Sequence, residues 1–550
     1  MRNILLYLLF TATMLPSLMA APSGSARTLP EYSGLDDLAR VVILDQGRCK
    51  PLDSWAWETV RGITGRLQYQ DYPQLAMLLD MTANPEQWFE EPLLRIDNLP
   101  LRKALGLPDD TKHFSFAAVR GAPGFEDQLQ LMRAEQGDDP SGHQQYMQKL
   151  YGQMILCSDI LSGTAFVVVP DPTDPKAAWS IPAEPLQIDA VTAATLQGVW
   201  QEMISSWNSR NESGFNSYVL QLRDQLQAIE CGYYPSTVDL DREILYNHFR
   251  PFRKAIVVYL LLGMTGLLGL FFRNRVLHWF NNLLLLAGVL LHSWGLYFIT
   301  VIAGRAPMSN LYESLLFIIW GFVLIAFLFN LKYREQYVFV LAGLIGFIAM
   351  VLAHHTGVDI TINPLVPVLR SSWLVFHVTI ILISYSAFAL TMGLGHIWLL
   401  SNRFFPGAND SRRRVYDFTY RVLQLGIVTL TVGIILGAMW ANESWGRYWG
   451  WDPKETWSLI TLLIYLGVVH ARARGWVRQR GMAILNIVSF ASVIMTYYGV
   501  NYFLSGLHSY ANGNAASIPA LLLVYIGFEI LFLLVTTLRY RGAQIPESKS

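Results

Sequence analysis

The stretch VLQLGIVTLTVGIILGAMWA, residues 422–441, decides the fold of this chain. It holds no charged side chain, and a helix of this length crosses the roughly 30 Å of hydrocarbon in a bilayer. Backbone N–H and C=O groups find no hydrogen-bond partners in lipid, so such a run is stable there only as a helix. The stretch therefore predicts a membrane-spanning helix.

Similar apolar runs fill the second half of the 550-residue chain, in which 53% of residues are hydrophobic. They predict about nine transmembrane helices, near 255–272, 283–303, 311–331, 336–353, 372–400, 422–441, 456–470, 483–504 and 517–537. The predicted fold class is an all-α polytopic membrane protein.

The first half of the chain differs in character. Its N-terminus places Arg2 before an apolar stretch and small residues, which is typical of an export signal that is either cleaved or kept as an anchor. The polar region that follows has apolar residues at helical spacing, which predicts a soluble, mainly helical domain. The predicted parts are a signal or anchor (1–21), a soluble domain (22–253), a transmembrane domain (254–540) and a tail (541–550).

Basic residues concentrate in alternate loops between the apolar runs. Basic residues in these loops include Lys332, Arg334, Arg412, Arg413, Arg414, Arg472 and Arg474. The positive-inside rule puts these loops and the tail in the cytoplasm. The soluble domain and the loop after residue 441 are then expected on the outer side of the cytoplasmic membrane, in agreement with the export signal.

Charge and cysteine content exclude some functions. The 41 basic and 41 acidic residues balance, so the bulk charge does not indicate nucleic-acid binding. The three cysteines, Cys49, Cys157 and Cys231, never form CxxC, so the chain lacks the motif of a dithiol reductant. They are compatible with one disulfide or with three incidental thiols.

The sequence WANESWGRYWGWDPKETW, residues 440–457, begins at the last two residues of the opening stretch. Its tryptophans would suit either an interfacial aromatic belt or a platform for a large planar ligand. Gly446, Gly450 and Pro453 favour the platform, because they shape the backbone between the rings. Asp452 and Glu455 predict a capping box for the next helix. The tryptophans are Trp440, Trp445, Trp449, Trp451 and Trp457.

Three separated motifs carry a resemblance to a known family. WGWDPKETWSLI (449–460) resembles the WWD signature of haem-handling proteins, and GRAPMSNLYESLLF (304–317) and SGLHSYA (505–511) match further segments in the same order. Over about 255–540 the chain resembles the CcsA (ResC) family of system II cytochrome c biogenesis. The stretch 46–65, QGRCKPLDSWAWETVRGITG, is similar to the start of an extra outer domain in some longer members.

The resemblance implies that His377 and His508 are the two outer axial ligands of haem, flanking the tryptophan loop. By topology both lie near the outer ends of their helices. It implies that His470, at the cytoplasmic end of the seventh helix, ligates haem at an inner site with a mate from a CcsB partner. A helix-end histidine without that role is the alternative. His292 is either a mate within this chain or a hydrogen-bond partner between helices.

Supporting residues are also expected at the outer site. Arg305 would suit a haem propionate, with Arg447 and Lys454 as alternatives. Glu313 and Glu529 lie in apolar segments and should face the interior of the helix bundle.

The resemblance implies that the chain takes haem b to the outer face and presents it for thioether attachment to apocytochrome c. It would be the haem-binding subunit of a holocytochrome c synthetase. The implied partners are a CcsB/ResB-like membrane protein, apocytochrome c and thiol-reducing proteins. Alternatives are a haem exporter without ligation activity, a lipid or quinone platform, and a system I component like CcmF or CcmC.

Overall fold

A computed structural model gives the architecture of the chain. It describes residues 28–538 except 67, 135–141, 175–177, 230, 232–233, 273, 356–360, 365–370, 406 and 509–519. The predicted export signal and C-terminal tail lie outside the described residues. The described residues form two compact units, 28–134 with 143–244, and 245–538.

The first unit is mainly helical, with two short antiparallel hairpins, β1–β2 and β3–β4. Its elements in chain order are α1 Gly34–Ala39, β1 Val42–Asp45, β2 Arg48–Pro51, α2 Leu52–Thr64, α3 Gln74–Ala83, α4 Pro85–Phe89, β3 Leu94–Arg95, α5 Leu99–Leu105, β4 His113–Phe114, α6 Phe116–Arg120, α7 Phe125–Ala134, α8 Gly142–Leu161, α9 Ala190–Asn208, α10 Glu212–Ala228 and α11 Thr237–Phe249.

A buried carboxylate organises the core of this unit. Asp80 on α3 accepts hydrogen bonds from the indole nitrogens of Trp88 (2.8 Å) and Trp207 (2.9 Å). Both indoles are fully buried, so these bonds fix large apolar side chains while satisfying their single polar atoms.

The second unit consists of long apolar helices. They are α12 Pro251–Phe271, α13 Arg275–Ala303, α14 Leu311–Tyr333, α15 Gln336–His355, α16 Ser372–Phe404, α17 Asn409–Trp445, α18 Pro453–Ala473, α19 Gln479–Ile494, α20 Val500–Phe503 and α21 Ala520–Thr537. A π-helical turn, Met495–Gly499, joins α19 to α20 without interrupting the span.

Eight helical spans among the described residues are long and apolar enough to cross a membrane. The helix α21, which corresponds to the predicted ninth segment, has a shorter apolar stretch, Leu522–Thr537. The prediction of an all-α polytopic membrane protein is confirmed.

Small residues allow the helices that carry the site to pack closely. Gly426, Gly433 and Gly437 of α17 face α16, where an added Cβ would overlap Phe388, Ile381 and His377 respectively. Such stripes of small residues let helix backbones approach each other in membranes. The approach of α17 to α16 at Gly433 and Gly437 positions His377.

The helices extend beyond the apolar runs that predicted them. The run 422–441 lies within α17, which continues to Trp445 and ends where Gly446 takes a left-handed conformation with φ of +70°. The next helix begins at Pro453, and proline is favoured at this position because the first turn of a helix does not need its missing N–H. The non-helical loop is therefore only 446–452, and three tryptophans of the predicted 440–457 loop, Trp440, Trp445 and Trp457, lie in helices.

Candidate functional site

His377 lies near the start of α16, whose first turn is capped by the Ser371 hydroxyl. Its Nδ1 is 2.8 Å from the Gly433 carbonyl oxygen on α17. A carbonyl oxygen only accepts, so Nδ1 carries the proton and Nε2 holds the lone pair. Within the described residues, Nε2 of His377 makes no hydrogen bond.

Asp452 organises the opposite side of the site. Its side chain caps α18 by accepting from Lys454 N, and Glu455 accepts from Asp452 N, which completes the predicted capping box. The same carboxylate accepts from Leu507 N (2.7 Å) and from His508 Nδ1 (2.7 Å). A Cβ at residue 506, a glycine, would overlap the carboxylate, so the chain passes close to it.

The Asp452 carboxyl is 2% exposed and carries a negative charge. Burial opposes ionisation, but the hydrogen bond and charge of His508, with two backbone N–H donors, lower its pKa to about 2. His508 therefore donates its Nδ1 proton to a carboxylate, leaving Nε2 as its second ring nitrogen. Carboxylate–histidine pairs of this kind orient metal ligands and raise their basicity.

The Trp440 indole packs against both histidine rings. It stacks nearly parallel to His377, with centroids 6.4 Å apart, and lies 5.5 Å from His508. Trp440 is 1% exposed, and its indole nitrogen has no hydrogen-bond partner within the described part of the chain. A buried donor without an acceptor is costly, so an acceptor atom in the cavity beside Trp440 would be stabilising.

Both histidines and Trp440 line a cavity of about 880 Å³. Apolar and hydroxyl side chains from α14, α16 and the π-helical turn form much of its wall, including Leu382, Tyr385 and Tyr497. The volume lies within the range of sites for large organic ligands. A smaller adjoining space of about 70 Å³ is also lined by both histidines, together with Tyr448 and Trp449.

The other tryptophans occupy three different environments. Trp445 packs edge-on against His508 with centroids 4.9 Å apart, and Trp449 meets Trp451 edge-on at 5.8 Å. Trp451 is 69% exposed and adopts a φ of +57°, a left-handed conformation that is strained for a bulky side chain. Trp457 is half-buried in α18, and its carbonyl accepts from Thr496.

Arg305 does not supply a free cation to the cavity, although it lines the wall. It forms a bidentate pair with Glu313 at 2.6 and 2.9 Å, and the two side chains are only 6% and 2% exposed. Its remaining donors reach the Asn363 carbonyl and Ser309. The guanidinium is occupied because a buried charge requires a partner, and Glu313 on α14 supplies it.

Lys454 also lines the cavity and carries no carboxylate partner among the described residues; it donates to Asn501 at 2.8 Å. Arg447 lies over the Trp445 ring and 3.8 Å from Glu455. Of the three cations considered from the sequence, Lys454 fits a cavity ligand best.

His470 lies far from this site, near the other end of α18. Roughly 27 Å of helix separates it from Asp452. It is exposed, and its Nδ1 donates to the Leu466 carbonyl at 2.8 Å. His292 is fully buried in α13 and bonds to the Tyr259 hydroxyl at 3.0 Å, so it has the interhelical contact that was one of its two predicted roles.

His396 was overlooked in the sequence. On α16 its Nδ1 bonds to the Met392 carbonyl and its Nε2 lies 3.0 Å from Glu529 on α21. The sequence did contain a signal for this pair. His396 and Glu529 are ionisable residues within apolar helices, where such side chains are costly unless they are paired. Glu529 therefore faces the bundle, as predicted.

The comparisons with known proteins agree with this architecture. The family model described as cytochrome C assembly protein matches residues 308–508. The chain is 30% identical to Protein NrfI of Wolinella succinogenes over 498 residues, which cover 86% of this chain and 54% of that protein.

Shorter relatives match a smaller part of the chain. Cytochrome c biogenesis protein CcsA of Prochlorococcus marinus is 36% identical over 277 residues, 43% of this chain and 84% of that protein. The CcsA protein of Parasynechococcus marenigrum is 36% identical over 264 residues, 42% of this chain and 83% of that protein.

The fold and site thus define a multi-pass membrane protein of cytochrome c assembly. The chain belongs to the CcsA family of cytochrome c biogenesis proteins. It spans about half the length of NrfI, 54%, so the activity of that whole protein does not transfer to it directly.

Proposed function

We propose that this chain binds haem b between His377 and His508 and presents it for covalent attachment to apocytochrome c. The observation that carries the proposal is the pairing of two imidazoles on one cavity, each holding its Nδ1 proton in a hydrogen bond. Neutral histidine ligates iron through a ring nitrogen with a lone pair, and within the described residues neither Nε2 makes a hydrogen bond.

The surroundings of the two histidines fit this ligand. Trp440 on the cavity and Trp449 on the smaller space offer aromatic surface to a flat macrocycle. Lys454 and the Trp440 indole nitrogen would meet its propionates. Bound haem supplies the vinyl groups to which two cysteine thiols add.

The two histidines differ in what holds them. His508 donates to an ionised carboxylate, whereas His377 donates to a neutral backbone carbonyl. The carboxylate makes His508 the more basic ligand. His377 is therefore the weaker ligand and the one that a histidine of the apocytochrome displaces.

The exposed part of the loop would receive the apocytochrome. Tyr448, which lines the smaller space beside both histidines, and Trp451, which packs against Trp449, are exposed. Holding haem and an unfolded segment together raises their effective concentration, and this positioning is the main catalytic contribution of the chain.

Orientation follows from the basic loops. The positive-inside rule places the tryptophan loop and the first unit outside the cytoplasmic membrane and His470 near the cytoplasmic face. His470 would then ligate haem at an inner site with a histidine from a CcsB/ResB-like partner, before haem moves to the outer site. Thiol-reducing proteins would keep the apocytochrome cysteines reduced.

The test is covalent cytochrome c formation. The chain is expressed with its CcsB-like partner and a reporter apocytochrome in a host without its own maturation system, and thioether-linked haem is read on denaturing gels. We expect product from the parent and a loss of at least tenfold in His377→Ala and His508→Ala, because each removes one proposed ligand. His396→Ala is the matched control, a histidine of the same helix bonded elsewhere.

Two results would contradict the proposal. Haem that reaches the outer side without thioether formation by the parent would indicate an exporter without ligation activity. Full product from both histidine variants would show that the outer pair does not hold the haem.

A further inference from the structure

The β1–β2 hairpin of the first unit brings two cysteines together. Cys49 on β2 and Cys231, just before α11, pack against the same buried cluster of Val42, Trp179 and Leu240. Both are thiols in this structure and both are partly buried. Cys157 lies in a different core, fully buried.

Ion pairs fix the hairpin against α11 beside the cysteines. Arg48, which precedes Cys49, makes a bidentate pair with Glu243 at 2.7 and 2.8 Å. Arg40 pairs with Asp241 at 2.8 Å. The bidentate Arg48–Glu243 pair, with the Arg40 pair from just before β1, indicates that the hairpin and α11 hold a defined position, which a disulfide requires.

The thiols also interact electrostatically. Burial, and next the charge that Cys231 would carry, raise the pKa of Cys49 to about 11, while Arg48 opposes the shift. A thiol of this kind attacks slowly, because only the thiolate is nucleophilic. A bond between the two would therefore be a stable structural crosslink and not a redox relay.

We propose that Cys49 and Cys231 form a disulfide in the exported protein. The proposal rests on the outer orientation given above, since disulfides persist in oxidising compartments. The two thiols lose two protons and two electrons, and the disulfide of an exported thiol–disulfide oxidoreductase accepts them and becomes a dithiol. The bond closes a very long loop and ties the 46–65 motif to the start of α11.

This bond would give a structural role to the 46–65 motif, which has no part in the proposed haem site. Through Arg48 and Cys49, its hairpin would hold the N-terminal part of α11. The packed position of both sulfurs would also protect the bond from the reducing proteins that keep apocytochrome cysteines as thiols.

The test counts thiols in the full-length chain. Membranes are denatured with a maleimide polymer present, before and after reduction, and the gel shift gives the number of thiols. We expect one reactive thiol before reduction and three after, with a linked peptide containing Cys49 and Cys231 in the mass spectrum. Cys157→Ser should show none before reduction and two after, whereas Cys49→Ser should show two in both samples.

Three reactive thiols before reduction would overturn the proposal. The haem spectrum of the same preparation separates the two proposals, because three thiols with normal haem binding contradict only the disulfide. Cys49→Ser and Cys231→Ser should each lower the melting temperature of the first unit by about 10 °C, and the double variant no further. Additive losses would instead indicate two independent packing contacts.

Discussion

Replacing Asp452 by Asn tests how the His508 ligand is held. The carboxylate accepts from Lys454 N, Leu507 N and His508 Nδ1. An amide has one acceptor oxygen, so its NH₂ group must face at least one of these donors. The variant also removes a charge-assisted bond, which is about twice as strong as a neutral one.

The expected loss concerns haem affinity more than folding. Removing the partner of a metal-ligating histidine typically costs about 10–100-fold in affinity. Asn is nearly as good a helix cap as Asp, so the stability of α18 should change little. Haem titration of the purified apoprotein, followed by absorption, would give the dissociation constant directly.

Glu455→Gln is the matched control for Asp452→Asn. It removes one negative charge from the same capping box, which tolerates Gln, but it leaves the bond to His508 intact. Its haem affinity should stay within about twofold of the parent. Equal affinities of the two variants would refute the role of Asp452 in holding His508.

Three further substitutions test other parts of the account. Gly437→Ala should displace the His377 ring, since an added Cβ would lie 2.5 Å from its Cε1, and should lower the haem content of the purified protein several-fold. Glu313→Gln should leave the buried Arg305 incompletely paired and cost about 3–5 kcal/mol, seen as a lower melting temperature in detergent. Trp451→Gly should relieve about 1 kcal/mol of backbone strain without lowering the melting temperature, yet reduce covalent cytochrome c formation.

Each of these has a control and a contrary outcome. Gly467→Ala on α18, where an added Cβ meets nothing within 4 Å, should retain parental haem content, and equal content in Gly437→Ala would contradict the packing argument. An unchanged melting temperature in Glu313→Gln would show that the ion pair contributes nothing. A Trp451→Gly protein with full maturation activity would show that the exposed side chain of Trp451 has no function in maturation.

Much of the fold was predictable because hydrocarbon imposes a length on apolar helices. The run 255–272 corresponds to Pro251–Phe271 and 372–400 to Ser372–Phe404. The polar extensions of these helices were not predictable. The length of an apolar run is set by the thickness of the hydrocarbon, whereas the helix can continue into water. For example, α17 begins at residue 409, and its arginine-rich residues 409–421 precede the apolar run 422–441.

The site was predictable in part. The motifs of the resemblance indicated His377, His508 and Asp452, and the capping box followed from the spacing of Asp452 and Glu455. The acceptor of His377 was not predictable, because a backbone carbonyl such as that of Gly433 has no signature in the sequence. The pairing of Arg305 with Glu313 was not predictable either, because Glu313 lies across a turn and was assigned only to the bundle interior.

The most direct test of the central claim is the absorption spectrum of the purified chain, co-expressed with its partner, beside His377→Gly, His508→Gly and His396→Gly. The account predicts a reduced low-spin haem spectrum in the parent and in His396→Gly. This control places the same helix-destabilising glycine on α16 as His377→Gly does. The account predicts a weakened or shifted spectrum in the other two, restored by added imidazole. An unchanged spectrum in both His377→Gly and His508→Gly, or no haem in the parent, would contradict it.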